Sequence, residues 1–354
     1  MRTRITELLE IEHPIIQAPT NPVAVPNLAA AVSKAGGLGM LACNRYGDKQ
    51  LREDIGTIRE LTDKPFGVSL VAGIPGYEEV AKVLIDERVP VILHGRGNPK
   101  WLVEATRGYG IIVVPIVGAV RHAIRAEQDG AHAIIVAGME AGGHVSDIAT
   151  TVLVPLVASK VRIPVVAAGG FCDGKGLVAA LALGAEGIAM GTRFTVSQES
   201  GAPWNIKQRY VKSSESDTVV TTAITGARLR VLRNNLTDLL EQQGKRLSWR
   251  ERISSTLDTR RKLGVSWWRF TIGGWRMRKA YEASFSELGS LAAGTMRVDK
   301  AFVEGDEEFG AMPSGQVCGR IDDIPMAAEI IKRTMAEAEM VSKSIGGKFS
   351  LRSC

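Results

Sequence analysis

The chain has 354 residues, 45% hydrophobic and 23% charged, with a formal net charge of +6. That is ample apolar material for one large domain with an insertion, or for two ordinary domains. Its longest apolar stretch, Ile111–Val120, is too short to span a bilayer, and its N-terminus lacks the apolar run of a signal peptide. The four cysteines (Cys43, Cys172, Cys318, Cys354) lie far apart with no C-x-x-C pair. Their spacing argues against a disulfide framework and against a metal site, and it predicts a cytoplasmic protein.

Short apolar runs recur from the N-terminus onward. They predict strands at Pro14–Gln17, Gly37–Leu41, Phe66–Leu70, Pro90–Leu93, Ile111–Pro115, Ala133–Ala137, Pro164–Ala168 and Gly187–Met190. Helix-like stretches fall between them, near 25–35, 50–61, 76–88, 99–108, 118–129, 148–160 and 174–183. The runs are almost continuously apolar rather than alternating, as expected of strands buried on both faces. Eight strands in α/β alternation are what a (β/α)8 TIM barrel needs; a doubly wound open sheet is the rival architecture. After the eighth strand the alternation stops. Residues 201–310 are read as a mainly helical, basic insertion, and 1–200 with 311–350 as the barrel. A last amphipathic helix, Pro325–Ser344, is expected to pack back on that barrel.

In such a barrel the chemistry sits on the loops that follow the strands, and phosphate often binds after strands seven and eight. The seventh predicted strand ends in Ala167-Ala168-Gly169-Gly170, and the eighth in Met190-Gly191-Thr192. Glycines there let backbone N–H groups approach an anion, and Thr192 adds a hydroxyl donor. The sixth strand runs into Gly138-Met-Glu-Ala-Gly-Gly-His144, a loop able to wrap a flat ligand with an imidazole at its edge. His144 is therefore the leading catalytic candidate, as a general acid or base near neutral pH. His94, which ends the fourth strand, is the second. His13, His122 and His132 map to positions away from the barrel mouth and are read as structural. Gly174-Lys-Gly176-Leu-Val-Ala179 has the form of a dinucleotide fingerprint. Its glycines lie beyond the strand end, however, and the next strand ends in no acid to hold a ribose, so that reading is rejected.

Several stretches together resemble the nitronate monooxygenase (2-nitropropane dioxygenase) family, which includes flavin-dependent enoyl-[acyl-carrier-protein] reductases. They are His13-Pro-Ile-Ile-Gln-Ala-Pro19, Ala31–Gly39, Asp63–Val68, Gly138–His144, Ala167–Gly170, Met190–Phe194 and Ser314–Gly319. The resemblance implies non-covalent FMN, with NADH or NADPH as a further cofactor in the reductases. By matched motif it places the phosphate on Gly169, Gly170, Gly191 and Thr192. Gln17, Ala18, Glu140, Gly142 and Gly143 would line the flavin ring, and His144 matches the active-site histidine. Two positions depart from the family pattern. Ser69 stands where many members carry a flavin-touching Asn, and His94 where relatives often have a small residue.

Between Lys245 and Lys279, eleven Lys or Arg face only Glu251 and Asp258, a segment charge of +9 that leaves −3 for the rest of the chain. Trp249, Trp267, Trp268 and Trp275 are interleaved with these charges. Such concentration favours a polyanionic small-molecule partner such as a CoA thioester, or else an acyl-carrier-protein thioester. No nucleic-acid motif accompanies it, so nucleic acid is not an expected partner. Asp217–Thr222 and the long basic insertion also resemble an actinobacterial branch of the family that acts on CoA thioesters in steroid-ring degradation. Two activities follow: nitronate monooxygenation, taken as the leading reading, and NAD(P)H/FMN-dependent reduction or dehydrogenation of a CoA or carrier-protein thioester. The insertion is open to two roles, a lid over the substrate or a homodimer contact.

Overall fold

The apolar runs form a barrel. A computed structural model describes residues 1–43, 48–72, 76–243 and 285–349. Its strands are β1 (Ile15–Gln17), β2 (Gly39–Ala42), β3 (Phe66–Val71), β4 (Val91–Gly95), β5 (Ile112–Val117), β6 (Ile134–Ala137), a short β7 (Gly143–His144), β8 (Val165–Ala168) and β9 (Gly187–Met190). All but β7 join one parallel sheet in the order β1-β9-β8-β6-β5-β4-β3-β2. The seam between β1 and β2 is closed by a few bonds. Leu38 N–H donates to Ile15 O at 2.9 Å and Gln17 N–H to Leu38 O at 3.0 Å. The Gln17 side chain adds a third stitch, accepting Met40 N–H at 2.7 Å.

Helices α1 (Arg4–Leu9), α2 (Pro26–Lys34), α3 (Asp48–Leu61), α4 (Tyr77–Asp86), α5 (Lys100–Ala105), α6 (Val120–Gln128), α7 (Thr150–Ala158) and α8 (Gly174–Ala182) occur in chain order. Inside the barrel Ile16, Met40, Leu93, Val114, Ile135, Val166 and Ala189 form one cluster, and Ile5 and Leu9 of α1 plug its floor. The opposite faces of the strands bury against α2–α8. After β9 come α9 (Thr192–Thr195), α10 (Trp204–Val211), α11 (Asn235–Gln243), α12 (Phe285–Phe302) and α13 (Ala327–Phe349). The last of these packs against α8 and α2 and so fills the eighth helix position of the ring. Contact with α8 is close: a Cβ at Gly174 would lie 2.3 Å from Ala338 N and 2.5 Å from Thr334 O. The glycine of the false fingerprint thus serves helix packing.

The insertion differs from the helical expectation in one respect. Between α10 and α11 it folds a hairpin, β10 (Thr218–Thr221) and β11 (Leu229–Leu232). Strand β11 then pairs antiparallel with β7, setting Leu229 opposite His144 and Arg230 opposite Gly143. Two four-residue strands with no helix between them leave no trace in a search for β/α alternation. The basic segment Lys245–Lys279, its tryptophans and Cys354 lie outside the described residues. Among the described residues no helix is long and apolar enough to cross a membrane, and no cluster of His, Cys, Asp and Glu could hold a metal.

Candidate active site

The strand ends bring most of the sequence-predicted residues to one rim. Gly169 and Gly170 follow β8 with φ of +97° and +86°, a region that favours glycine. A Cβ on Gly169 would also sit 3.0 Å from Ala141 N, so the β6 and β8 loops touch there. Gly191 leads into α9, whose first residue is Thr192. Thr192 Oγ1 accepts the Gly315 N–H at 2.9 Å, which leaves its own proton available to a ligand. Gln316 N–H donates to Glu140 O at 3.1 Å, and Ala18 N–H to Met190 O at 2.9 Å. The loops after β1, β6, β8 and β9 therefore converge, sealed from one side by Ser314–Gln316.

Of the expected flavin-contacting residues, Gln17 and Glu140 behave alike and Ser69 differently. The Gln17 amide is spent on the barrel seam, since Nε2 donates to Ala18 O at 2.8 Å while Oε1 takes Met40 N–H. The Glu140 carboxylate turns to the start of α7, accepting Thr150 N–H at 2.8 Å and the Thr150 hydroxyl. Their side chains build the wall, and their backbones are what a ligand would meet. Ser69 is the opposite case. Its neighbours Val68 and Leu70 bury outward against the helices, so Ser69 faces into the barrel. Its Oγ is buried with no hydrogen-bond partner among the described residues. A buried hydroxyl without a partner is costly, and one facing the mouth suits a polar ligand edge.

The two candidate histidines are separated. His144 lies in β7, exposed at the rim. Desolvation, reinforced by the Arg96 charge, lowers its pKa to about 4. Its Nε2 lies 3.4 Å from Thr225 Oγ1. His94 is fully buried and shares the outer face of β4 with Ile92, edge-on to Tyr77 of α4 at 6.1 Å between ring centroids. Burial alone takes its pKa down to about 4, and neither ring nitrogen has a hydrogen-bond partner among the described residues. It does not face the mouth that His144 lines.

Sequence reasoning missed Arg230, Thr225 and Arg96. Arg230 is buried and ties the hairpin to the active-site loop, donating to Met139 O at 3.0 Å from Nη2 and to Thr218 Oγ1 at 2.9 Å. A lone charge inside the apolar Leu229-Arg-Val-Leu232 was the available signal. Arg96 follows β4 with a left-handed φ of +59°, unusual for a side-chain-bearing residue and frequent at functional sites.

With this geometry in place, the comparisons with known proteins are specific. The nitronate monooxygenase family profile matches residues 2–81 and 70–337. The (3aS,4S,5R,7aS)-5-hydroxy-7a-methyl-1-oxo-octahydro-1H-indene-4-carboxyl-CoA dehydrogenase of Rhodococcus jostii is 37% identical over 338 residues, 96% of each chain. A probable nitronate monooxygenase of Staphylococcus aureus is 33% identical over 287 residues, 68% of this chain and 81% of that one. Among solved structures, FabK from Thermotoga maritima superposes with a TM-score of 0.83 at 36% identity, covering 99% of this chain and 100% of the other. The chain belongs to the nitronate monooxygenase family and is an oxidoreductase on a TIM barrel. The family and its structural neighbours are flavoenzymes, and the rim fits a flavin. The Ser69 hydroxyl, without a partner among the described residues, and the glycine pair at 169 and 170 are compatible with a flat, phosphate-bearing ligand.

Proposed function

We propose that the chain is an FMN-dependent oxidoreductase of an acyl-CoA thioester. The observation that carries this reading is the extent of the likeness. The indene-carboxyl-CoA dehydrogenase matches over 96% of both chains, whereas the nitronate relative matches over 68% of this one. The concentrated positive charge of Lys245–Lys279 supports it, because CoA is a polyanion and a nitronate is not. FMN would be held at its phosphate by Gly169, Gly170, Gly191 and Thr192, and at its ring by Ser69 and the backbones of Ala18, Glu140, Gly142 and Gly143. Bound there, it would supply a two-electron hydride acceptor or donor.

The remaining work falls to the protein. His144 is neutral at neutral pH, its pKa being held at about 4, and it takes up the proton that accompanies hydride loss from the substrate. Arg96, whose charge already acts on His144, favours negative charge developing on a substrate oxygen nearby. NADH or NADPH would serve as the other redox partner in the reductive direction. The 1–200 and 311–350 segments would hold the cofactor, and 201–310 the CoA moiety.

Nitronate monooxygenation is the second reading, favoured by the family match and by a neutral base at the mouth. Anaerobic rapid mixing of the holo-protein separates them, using an alicyclic acyl-CoA, each nicotinamide and an alkyl nitronate in turn. Loss of the visible flavin band with the acyl-CoA, or with a nicotinamide followed by its return on adding an unsaturated acyl-CoA, is expected. Rapid loss with nitronate alone would replace the thioester reading by the second.

A further inference from the structure

Besides the strand pairing, one side chain of the insertion reaches the imidazole of the candidate histidine. Thr225, in the β10–β11 hairpin loop, is buried, and its Oγ1 makes two contacts. One is to Ala227 O at 3.1 Å and the other to His144 Nε2 at 3.4 Å. A threonine hydroxyl has one proton to give, and a carbonyl oxygen can only accept. With that proton on Ala227 O, the lone pairs of Oγ1 face the imidazole, and Nε2 must supply the hydrogen. A neutral imidazole with hydrogen on Nε2 keeps its lone pair on Nδ1.

The hydroxyl is held in place from behind. Gly294 of α12, on the C-terminal side of the basic segment, packs against the loop so closely that a Cβ there would lie 2.4 Å from Thr225 Cγ2 and 3.0 Å from Ile224 O. On the other side, β11 fixes the backbone of His144 by pairing with β7.

We infer that Thr225 is a positioning residue that locks His144 as the Nε2–H tautomer, with Nδ1 as the proton acceptor, and that Gly294 seats it. The inference rests on the reading of His144 as the proton-transfer group, but the tautomer can be measured independently of activity. The experiment is ring-nitrogen NMR of the 15N-histidine-labelled holo-protein, with His144→Ala assigning the signal among the five histidines. The wild type is expected to show a protonated Nε2 and an unprotonated Nδ1. Thr225→Val should give a mixture or the inverted tautomer and lower kcat about 10- to 100-fold, the scale of a mis-set acid–base group, with KM little changed. Thr225→Ser should restore both readings, and Gly294→Ala should shift the tautomer part of the way. A wild-type His144 protonated on Nδ1 overturns the inference even if the valine variant does not fold. So does an unchanged tautomer in a folded Thr225→Val protein. If the tautomer is as inferred but His144→Ala keeps full activity, the proton-transfer reading fails while the positioning by Thr225 stands.

Discussion

A histidine serves as a base only while it is neutral, and this protein holds two histidines neutral in different ways. His144 stands at the rim, where desolvation and the Arg96 charge lower its pKa to about 4. A reaction that needs the neutral ring should therefore keep its kcat/KM from pH 7.5 down to about 5 and lose it only as the pH nears 4. An ordinary imidazole would begin to fail near pH 6.5, and a profile that breaks there would assign the proton to another group. His144→Ala should lower kcat by about 10²- to 10⁴-fold. His94 is buried against Tyr77, with neither nitrogen paired among the described residues, and its effect is on stability. Its folded pKa, about 4, lies below the unfolded value. Full stability is then present above pH 6.5 and declines as the pH falls toward 4, by about 3 kcal/mol in all. His94→Leu removes both unpaired nitrogens along with the titration. It should flatten the pH dependence of the urea midpoint without slowing flavin reduction; a slowed reduction would return His94 to the catalytic set.

At the scale of elements, helix and strand make different demands on the sequence. Helix α8 and helix α13 approach until only a glycine fits, so Gly174→Ala should cost about 1–3 kcal/mol. A thermal midpoint lowered by a few degrees, with the flavin reaction intact, is the expected result; an unchanged midpoint would mean that the two helices are not in the contact described. The barrel strands were legible because each is a run of apolar residues between polar helical stretches, and each of the eight barrel strands overlaps its predicted one. The same continuity hid the facing of His94. A strand end read from sequence gives the height of a residue in the barrel. Its side follows from alternation, and a run that is apolar throughout has none to read. Ser69 was legible as a site residue only through the family pattern, and its inward facing came from the buried neighbours on either side. The hairpin was hidden for a third reason. Its strands are short, and β11 takes its second partner, β7, from a segment some 85 positions earlier, a pairing that no local pattern encodes. That pairing also explains the buried Arg230, which a helical reading of the insertion could not.

For the molecule as a whole the decisive quantity is how its charge is divided. One segment carries +9 and the remainder only −3, so the positive charge is concentrated in one short stretch of an otherwise nearly neutral chain. A field of that kind acts over a distance set by salt, about 30 Å at 0.01 M and about 8 Å at physiological ionic strength. A CoA thioester carries several phosphate charges away from its reacting carbon, and its binding would draw on this field. A small nitronate, with one charge at the reacting centre, would gain little from it. Replacing Arg260, Arg261 and Lys262 by glutamine should thus raise KM for the thioester several-fold at low salt, with kcat nearly constant, because the charges act on the part of the substrate remote from the chemistry. The gap between variant and wild type should close as salt is added, and KM for any nitronate should hardly move. An unchanged thioester KM at low salt would remove the basic segment from substrate binding and leave it a solvated or assembly surface. A KM raised equally at all salt concentrations would point to a direct contact made by these three residues rather than to the field.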